Sequence, residues 1–146
     1  CSSDLTFESG AGFVLSPPGS AYPEQTGVYK ITYSSQIANT DNSLEHDITV
    51  WLRIDGQDVD NSATFFTVPK AKSALIASYL CAYSEVVFTI TTNSVVELVW
   101  ATDTAATSGG VKGVYIFADP AQTSPYTRPA IPSSLGSITF VSSTGT

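Results

Sequence analysis

Residues 47–69 read DITVWLRIDGQDVDNSATFFTVP, and their pattern decides the fold class. Ile48, Val50, Leu52 and Ile54 alternate with Thr49, Trp51 and Arg53, the two-residue period of a strand that turns one face to a core. Asp55-Gly56 supplies two positions suited to positive φ, as a type I′ turn requires, so the chain is expected to double back as a hairpin. A short return and a second strand, Phe65 to Val68, follow, and Pro69 closes the unit.

The same period extends outward in both directions. In GVYKITYSSQIAN, residues 27–39, Tyr29, Ile31, Tyr33 and Ile37 share one face, while Lys30, Thr32, Ser34 and Gln36 share the other. The stretch from Thr40 to His46 reads as a polar loop and Lys70 to Lys72 as a basic turn. Three β-rich runs come next, Ala74 to Tyr83, Val86 to Thr91 and Val95 to Thr102, with turns expected at Ser84-Glu85 and Thr92-Asn93-Ser94. Thr104 to Gly110 is a loop of small residues, Val111 to Phe117 a further strand, Asp119 to Pro132 a connection rich in Pro, and Leu135 to Ser142 a last strand. Eight to ten strands spaced about ten residues apart, with no helix of useful length and no fixed repeat, predict an all-β chain folded as an antiparallel jelly-roll β-sandwich. Residues 1–26, rich in Gly, Ser and Pro, read as an extended N-terminal arm with short apolar patches at Leu5 to Phe7 and Phe13 to Leu15; residues 27–146 form the sandwich domain.

With 146 residues the chain fits one domain, large enough to bury roughly two-thirds of its unfolded surface without disulfides or metals. Thirteen acidic and six basic side chains leave a net charge of −7, which repels phosphate backbones and makes nucleic acid an unexpected partner. Only 13% of residues are charged while Ser and Thr are abundant, a balance that suits an extracellular or virion surface. No apolar run approaches the ~20 residues of a spanning helix, so no membrane span is expected. The start at Cys1 suggests a processed N terminus, one version being a lipidated Cys with Ser2-Ser3-Asp4 as tether. Cys81 reads as a small buried hydrophobe, and two cysteines so far apart make no disulfide framework.

Residues capable of chemistry are few. The single histidine, His46, lies between two acids at a loop-to-strand boundary and is expected to be exposed and solvated; with no G-x-S-x-G elbow, no hydrolytic triad is expected. One His also excludes the common zinc sets. Asp55, Asp58, Asp60 and Asn61 cluster as a calcium site would, but counting from Asp58 the EF-hand positions for Gly and Glu hold Ala63 and Pro69, and acids favouring tight turns fit better. Glu85, Glu97 and Asp103 are the only carboxylates that could be paired for glycoside hydrolysis, and nothing in their spacing brings two together. Gly109-Gly110 lacks the Lys-Ser or Lys-Thr of a phosphate loop. No catalytic, cofactor-binding or metal-binding residue is assigned, and no cofactor is expected. Trp51, Trp100 and the many Tyr and Phe are read as sandwich core, some of them lining a subunit interface or a carbohydrate-binding rim.

Five motifs in order carry a resemblance: G-V-Y-x-I-x-Y-S at Gly27 to Ser34, W-L-R-x-D-G-x-D-V-x-N-S at Trp51 to Ser62, V-P at Val68-Pro69, V-E-L-V-W-A-T-D at Val96 to Asp103 and R-P-A-I-P-S at Arg128 to Ser133. Over roughly Gly27 to Ser142 the chain resembles bacteriophage virion proteins whose heads are similar in fold to the tumour-necrosis-factor and complement-type globular head. The resemblance implies a jelly roll that assembles as a homotrimer, with aromatic and β-branched side chains of each inner sheet meeting around the three-fold axis, and no catalytic residues. Such heads usually carry a longer β-rich stretch before the G-V-Y strand; here the first hairpin is shortened, or a neighbouring protein adds the edge.

These readings together give a non-enzymatic virion structural protein, a trimer that decorates or cements the outer capsid through contacts with the major capsid protein or other virion proteins. The alternative is a fibre or knob tip that binds a host surface receptor or glycan through Thr40 to His46, Thr104 to Gly110 and the Asp119 to Pro132 connection. A secreted or lipid-anchored adhesion module, motivated by Cys1, is a third class.

Overall fold

The computed structural model describes residues 5–9, 13–16, 20–106 and 110–143. They form eleven strands and no helix: β1 (Leu5–Ser9), β2 (Phe13–Ser16), β3 (Ser20–Pro23), β4 (Gly27–Asn39), β5 (His46–Ile54), β6 (Gln57–Asp58), β7 (Thr64–Val68), β8 (Ser78–Ile90), β9 (Val96–Thr102), β10 (Val114–Ile116) and β11 (Ser134–Ser142). The strands make two sheets packed as a sandwich. In sheet A the order is β1-β11-β4-β8, with β10 continuing beyond β11 along the same edge of β4. In sheet B the order is β2-β3-β9-β5, and β7 and β6 share the far edge of β5. All ladders are antiparallel except that of β1 on β11.

The decisive hairpin forms as its residues dictate. Asp55 and Gly56 both take positive φ, 51° and 78°, and β6 returns against Arg53 and Ile54. β7 then pairs with His46 to Val50 of β5, reversing the chain a second time. The apolar parity of β5 and the Tyr29, Ile31, Tyr33 and Ile37 face of β4 meet between the sheets, joined by Val68, Ala82, Ile90, Val96, Val114 and Ile138. The Tyr33 ring fills this core while its hydroxyl crosses to sheet B, 3.3 Å from the Val50 carbonyl oxygen. The N-terminal segment contributes to both sheets, β1 at the edge of sheet A and the β2–β3 hairpin at the edge of sheet B.

The turn expected at Ser84-Glu85 does not exist. Ser84 pairs with Tyr33 and Glu85 with Thr32 inside an unbroken thirteen-residue β8. Neither residue takes the positive φ of a tight hairpin, and β4, equally long, offers a hydrogen-bonding partner at every position. The turn expected at Thr92-Asn93-Ser94 does form, with Asn93 at φ 65°. The strand expected over Val111 to Phe117 is shorter, only Val114–Ile116 pairing in register with β4.

Candidate assembly surface

β8 is apolar on both of its faces. Leu80, Ala82, Val86, Phe88 and Ile90 point into the sandwich, while Tyr79, Cys81, Tyr83 and Val87 point out and are exposed. A strand with one face in water normally alternates apolar with polar; a strand apolar on both parities is one that is covered on both sides. β8 is also the edge of sheet A, pairing only with β4 among the described residues. Glu85, held 3.6 Å from Lys30, is the only charge on its outward face.

The neighbouring strands extend this surface. Register places Tyr83 beside Ser34 and Ser34 beside Leu135, so large side chains flank a small one. The next rung but one repeats the pattern with Tyr79, Ala38 and Tyr115. The result is a trough along β4, a groove of about 200 Å³ lined by Thr32, Ser34, Tyr83, Leu135 and Ser137, its floor tied by a 2.6 Å hydrogen bond between the Thr32 and Ser137 hydroxyls. Leu135 of β11 is exposed there. The outward face of sheet B differs: it carries Asp47, Arg53 and Glu97 beside Trp51 and Phe65.

The residues singled out for chemistry in the sequence do not converge on one site; of them only His46 and Asp103 meet, and the acids around the hairpin are tied to neighbouring backbone and side chains. The Asp55 carboxylate accepts the Val95 amide at 2.7 Å and thereby ties the hairpin turn to the start of β9. Asp58 accepts both the Trp51 indole N–H and the Arg53 Nε–H at 2.8 Å, and these bonds, Arg53 first, hold its carboxyl below the usual carboxylate range. Asn61 takes positive φ in the turn before Ser62. Asp55, Asp58 and Asn61 thus form turns or close the ladder, and among the described residues no set of three or more His, Cys, Asp or Glu side chains is arranged to hold a metal ion. Glu85 lies on sheet A and Glu97 on sheet B. Six residues of extended chain, roughly 20 Å, separate Glu97 from Asp103.

Two expectations are corrected. His46 is buried, not solvated: the polar loop after β4 folds over it, so Nε2 lies 3.1 Å from the Asp41 carboxylate and Nδ1 3.2 Å from that of Asp103. Burial alone would lower its pKa, but the two carboxylates outweigh burial and raise it. Cys81 is exposed on β8 rather than buried, because it falls on the outward parity. Of the two tryptophans, Trp100 packs against the core as expected, whereas Trp51 lies on the outer face of sheet B. Cys1 with its Ser2-Ser3-Asp4 tether, and Gly109, lie outside the described residues.

The stripe of Tyr79, Tyr83 and Val87 was not singled out in the sequence, because dividing the run at Ser84-Glu85 hid its period. Read as one strand, SYLCAYSEVVFTI shows apolar residues on both parities, and that signal was there to find. No helix among the described residues is long and apolar enough to cross a membrane. No protein-family model matches the chain, and no curated protein matches its sequence.

Proposed function

We propose that the protein is a non-enzymatic structural component of a bacteriophage virion, a homotrimer that decorates or cements the outer surface of the capsid. The observation that carries the reading is β8, a long edge strand apolar on the face that the single chain leaves uncovered. An exposed edge strand of this kind invites indiscriminate pairing unless a defined neighbour covers it. A second copy is the proposed neighbour, the ridge of Tyr83 and Val87 on one protomer being set against the trough between Tyr83 and Leu135 on the next. The proposed contact is head-to-tail around a closed ring, of which three copies is the proposed number.

The strand order supports a jelly roll of the tumour-necrosis-factor kind. Eight main strands divide four and four, β1-β11-β4-β8 against β3-β9-β5-β7. From β4 onward the chain passes from sheet A to B, back to A at β8, to B at β9 and again to A, the wrapping expected of two interlocked Greek keys. The parallel ladder of β1 is the one departure from an all-antiparallel order. In the assembled particle the protein would act mechanically, contacts to neighbouring capsomers raising the cost of losing any one of them.

Light scattering tests the reading, with and without capsids that lack this protein. A mass near three times 15.4 kDa, with binding to those capsids and protection against heat, is the expected result. A monomer that ignores capsids would overturn it.

A further inference from the structure

The geometry points to a binding site for a short, neutral oligosaccharide in the cleft between the C-terminal end of β4 and the 118–132 connection. The cleft has a volume of about 510 Å³, within the range of roughly 300–1,000 Å³ typical of small-molecule sites. Tyr79 of β8, Tyr115 of β10 and Phe117 form a continuous aromatic wall. The Tyr79 and Phe117 ring centroids are 5.0 Å apart and those of Tyr115 and Phe117 6.3 Å. Tyr126, on the connection, adds another ring to the lining and is well exposed. Between these rings stand planar polar side chains, Gln36, Gln122, Asp119 and Arg128.

The connection that carries half of this lining has a defined backbone. Asp119 and Ile131 exchange two backbone hydrogen bonds, at 2.9 and 2.8 Å, and Gln122 and Arg128 exchange two more, so residues 119–131 double back as a small hairpin. Arg128 is largely buried and pinned: Nη1 donates to the carbonyl oxygens of Pro120 and Pro129 at 2.9 and 3.1 Å, and Nη2 pairs with the Asp119 carboxylate. The loop therefore presents Tyr126 and Gln122 from a braced frame, a precondition for binding a weakly held ligand.

The chemistry selects the ligand class. Aromatic faces bury the C–H faces of pyranose rings, while amides and a carboxylate exchange hydrogen bonds with ring hydroxyls; a purely apolar ligand would strand these polar groups. Asp119 neutralises Arg128, so the cleft offers no unpaired cation to a carboxylate or sulfate, and the net charge of −7 disfavours acidic glycans further. The cleft takes its whole lining from one chain, and it shares Tyr79 and Tyr115 with the end of the proposed assembly face.

Saturation-transfer NMR tests the site, with maltotriose, cellotriose, lactose and tri-N-acetylchitotriose as neutral probes and 3′-sialyllactose as the acidic comparator. The expected result is transfer to at least one neutral probe, lost in Tyr126→Ala, a change at an exposed position that leaves the fold intact. Asp119→Asn frees the Arg128 charge and should shift preference toward sialyllactose. Absence of transfer to every neutral probe, transfer that survives Tyr126→Ala, or a wild-type preference for sialyllactose over lactose would each overturn the proposal. The mass of the same samples in solution reports separately on assembly.

Discussion

The Ser62 hydroxyl occupies the place of a missing strand beside Leu52, accepting its backbone N–H at 3.0 Å where β5 has passed the end of β7 and not yet met β6. The Leu52 carbonyl is served in turn by the Val59 amide at 3.0 Å, and Ser62 donates to the Val59 carbonyl at 2.7 Å. Both residues are fully buried, so Ser62→Ala leaves the Leu52 N–H without a partner. The expected loss is about 1–3 kcal/mol. Tyr33→Phe removes longer bonds, 3.3 to 3.4 Å, from acceptors of which the Val50 carbonyl belongs to the sheet, and should cost about 0.5–1.5 kcal/mol. Urea denaturation of the two variants should rank them in that order.

Gly113 is a position where space, not φ, demands glycine. A β-carbon there would stand 2.3 Å from the Thr104 carbonyl oxygen, a backbone atom fixed by its hydrogen bond from Val114. Gly113→Ala must push two loop segments apart and should destabilise by about 3 kcal/mol, the upper end of overpacking costs. Gly56 is the opposite case, with positive φ but nothing within 4 Å. Gly56→Ala should therefore cost only the local backbone term, about 1–2 kcal/mol. Thermal melts that placed Gly56→Ala below Gly113→Ala would contradict this assignment.

His46 links the loop after β4 to the end of β9, and both of its ring nitrogens face carboxylates, an arrangement satisfied only by the doubly protonated ring. Its folded pKa is raised above 6.5, so the stabilisation it gives is full below the unfolded value and is lost as pH rises through the folded one. Asp41 and Asp103 behave oppositely. The Ser43 amide and His46 lower the Asp41 pKa; for Asp103, burial opposes the shift but the His46 bond prevails. Their contribution is present above about pH 3.8 and fades as pH falls through their depressed values. Melting temperature should therefore decline as pH rises from about 6 to 8, and His46→Gln should flatten that limb. High salt should reduce the effect, since Asp103 is half-exposed. A wild-type melting temperature that climbs over the same interval would show that the ring is neutral.

Much of the sandwich was legible in the sequence because period-two alternation reports one buried face directly, as in Tyr29, Ile31, Tyr33 and Ile37. The Asp55-Gly56 turn was legible for a different reason: few residues tolerate its dihedral angles. Much of the spelling of Trp51 to Ser62 has a structural account, with Asp58 closing on Trp51 and Arg53, Asn61 at positive φ and Ser62 plugging the ladder. His46 was misread because burial of a loop-edge residue depends on the fold of Thr40 to Glu45 over it, which no local pattern encodes. Cys81 was misread from its residue type, although Tyr79, Cys81 and Tyr83 share a parity within the run Ala74 to Tyr83; the assumed break at Ser84-Glu85 cut Val87 off from that stripe. The cleft beside Tyr126 joins residues from β4, β8, β10 and the 118–132 connection, and only tertiary structure assembles it.

Tyr83 offers the sharpest test of which face assembles. It is well exposed, sits at mid-strand on β8 and lies across Ser34 from Leu135. In the single chain its ring contributes little to the core, so Tyr83→Arg should leave the monomer fold and its circular dichroism unchanged. In a ring of protomers the same change places an uncompensated charge in the contact, since Glu85 on the same face is already paired with Lys30. The proposed trimer should then dissociate at concentrations where a wild-type assembly would be intact. Phe65→Arg is the matched control, an equally exposed aromatic on the outer face of sheet B, and it should leave the oligomer unaffected. Sedimentation velocity of the three proteins separates the cases: dissociation by Phe65→Arg with persistence of the Tyr83→Arg trimer would move the interface to sheet B. Dissociation by Tyr83→Arg alone ties assembly to the strand that is apolar on both sides.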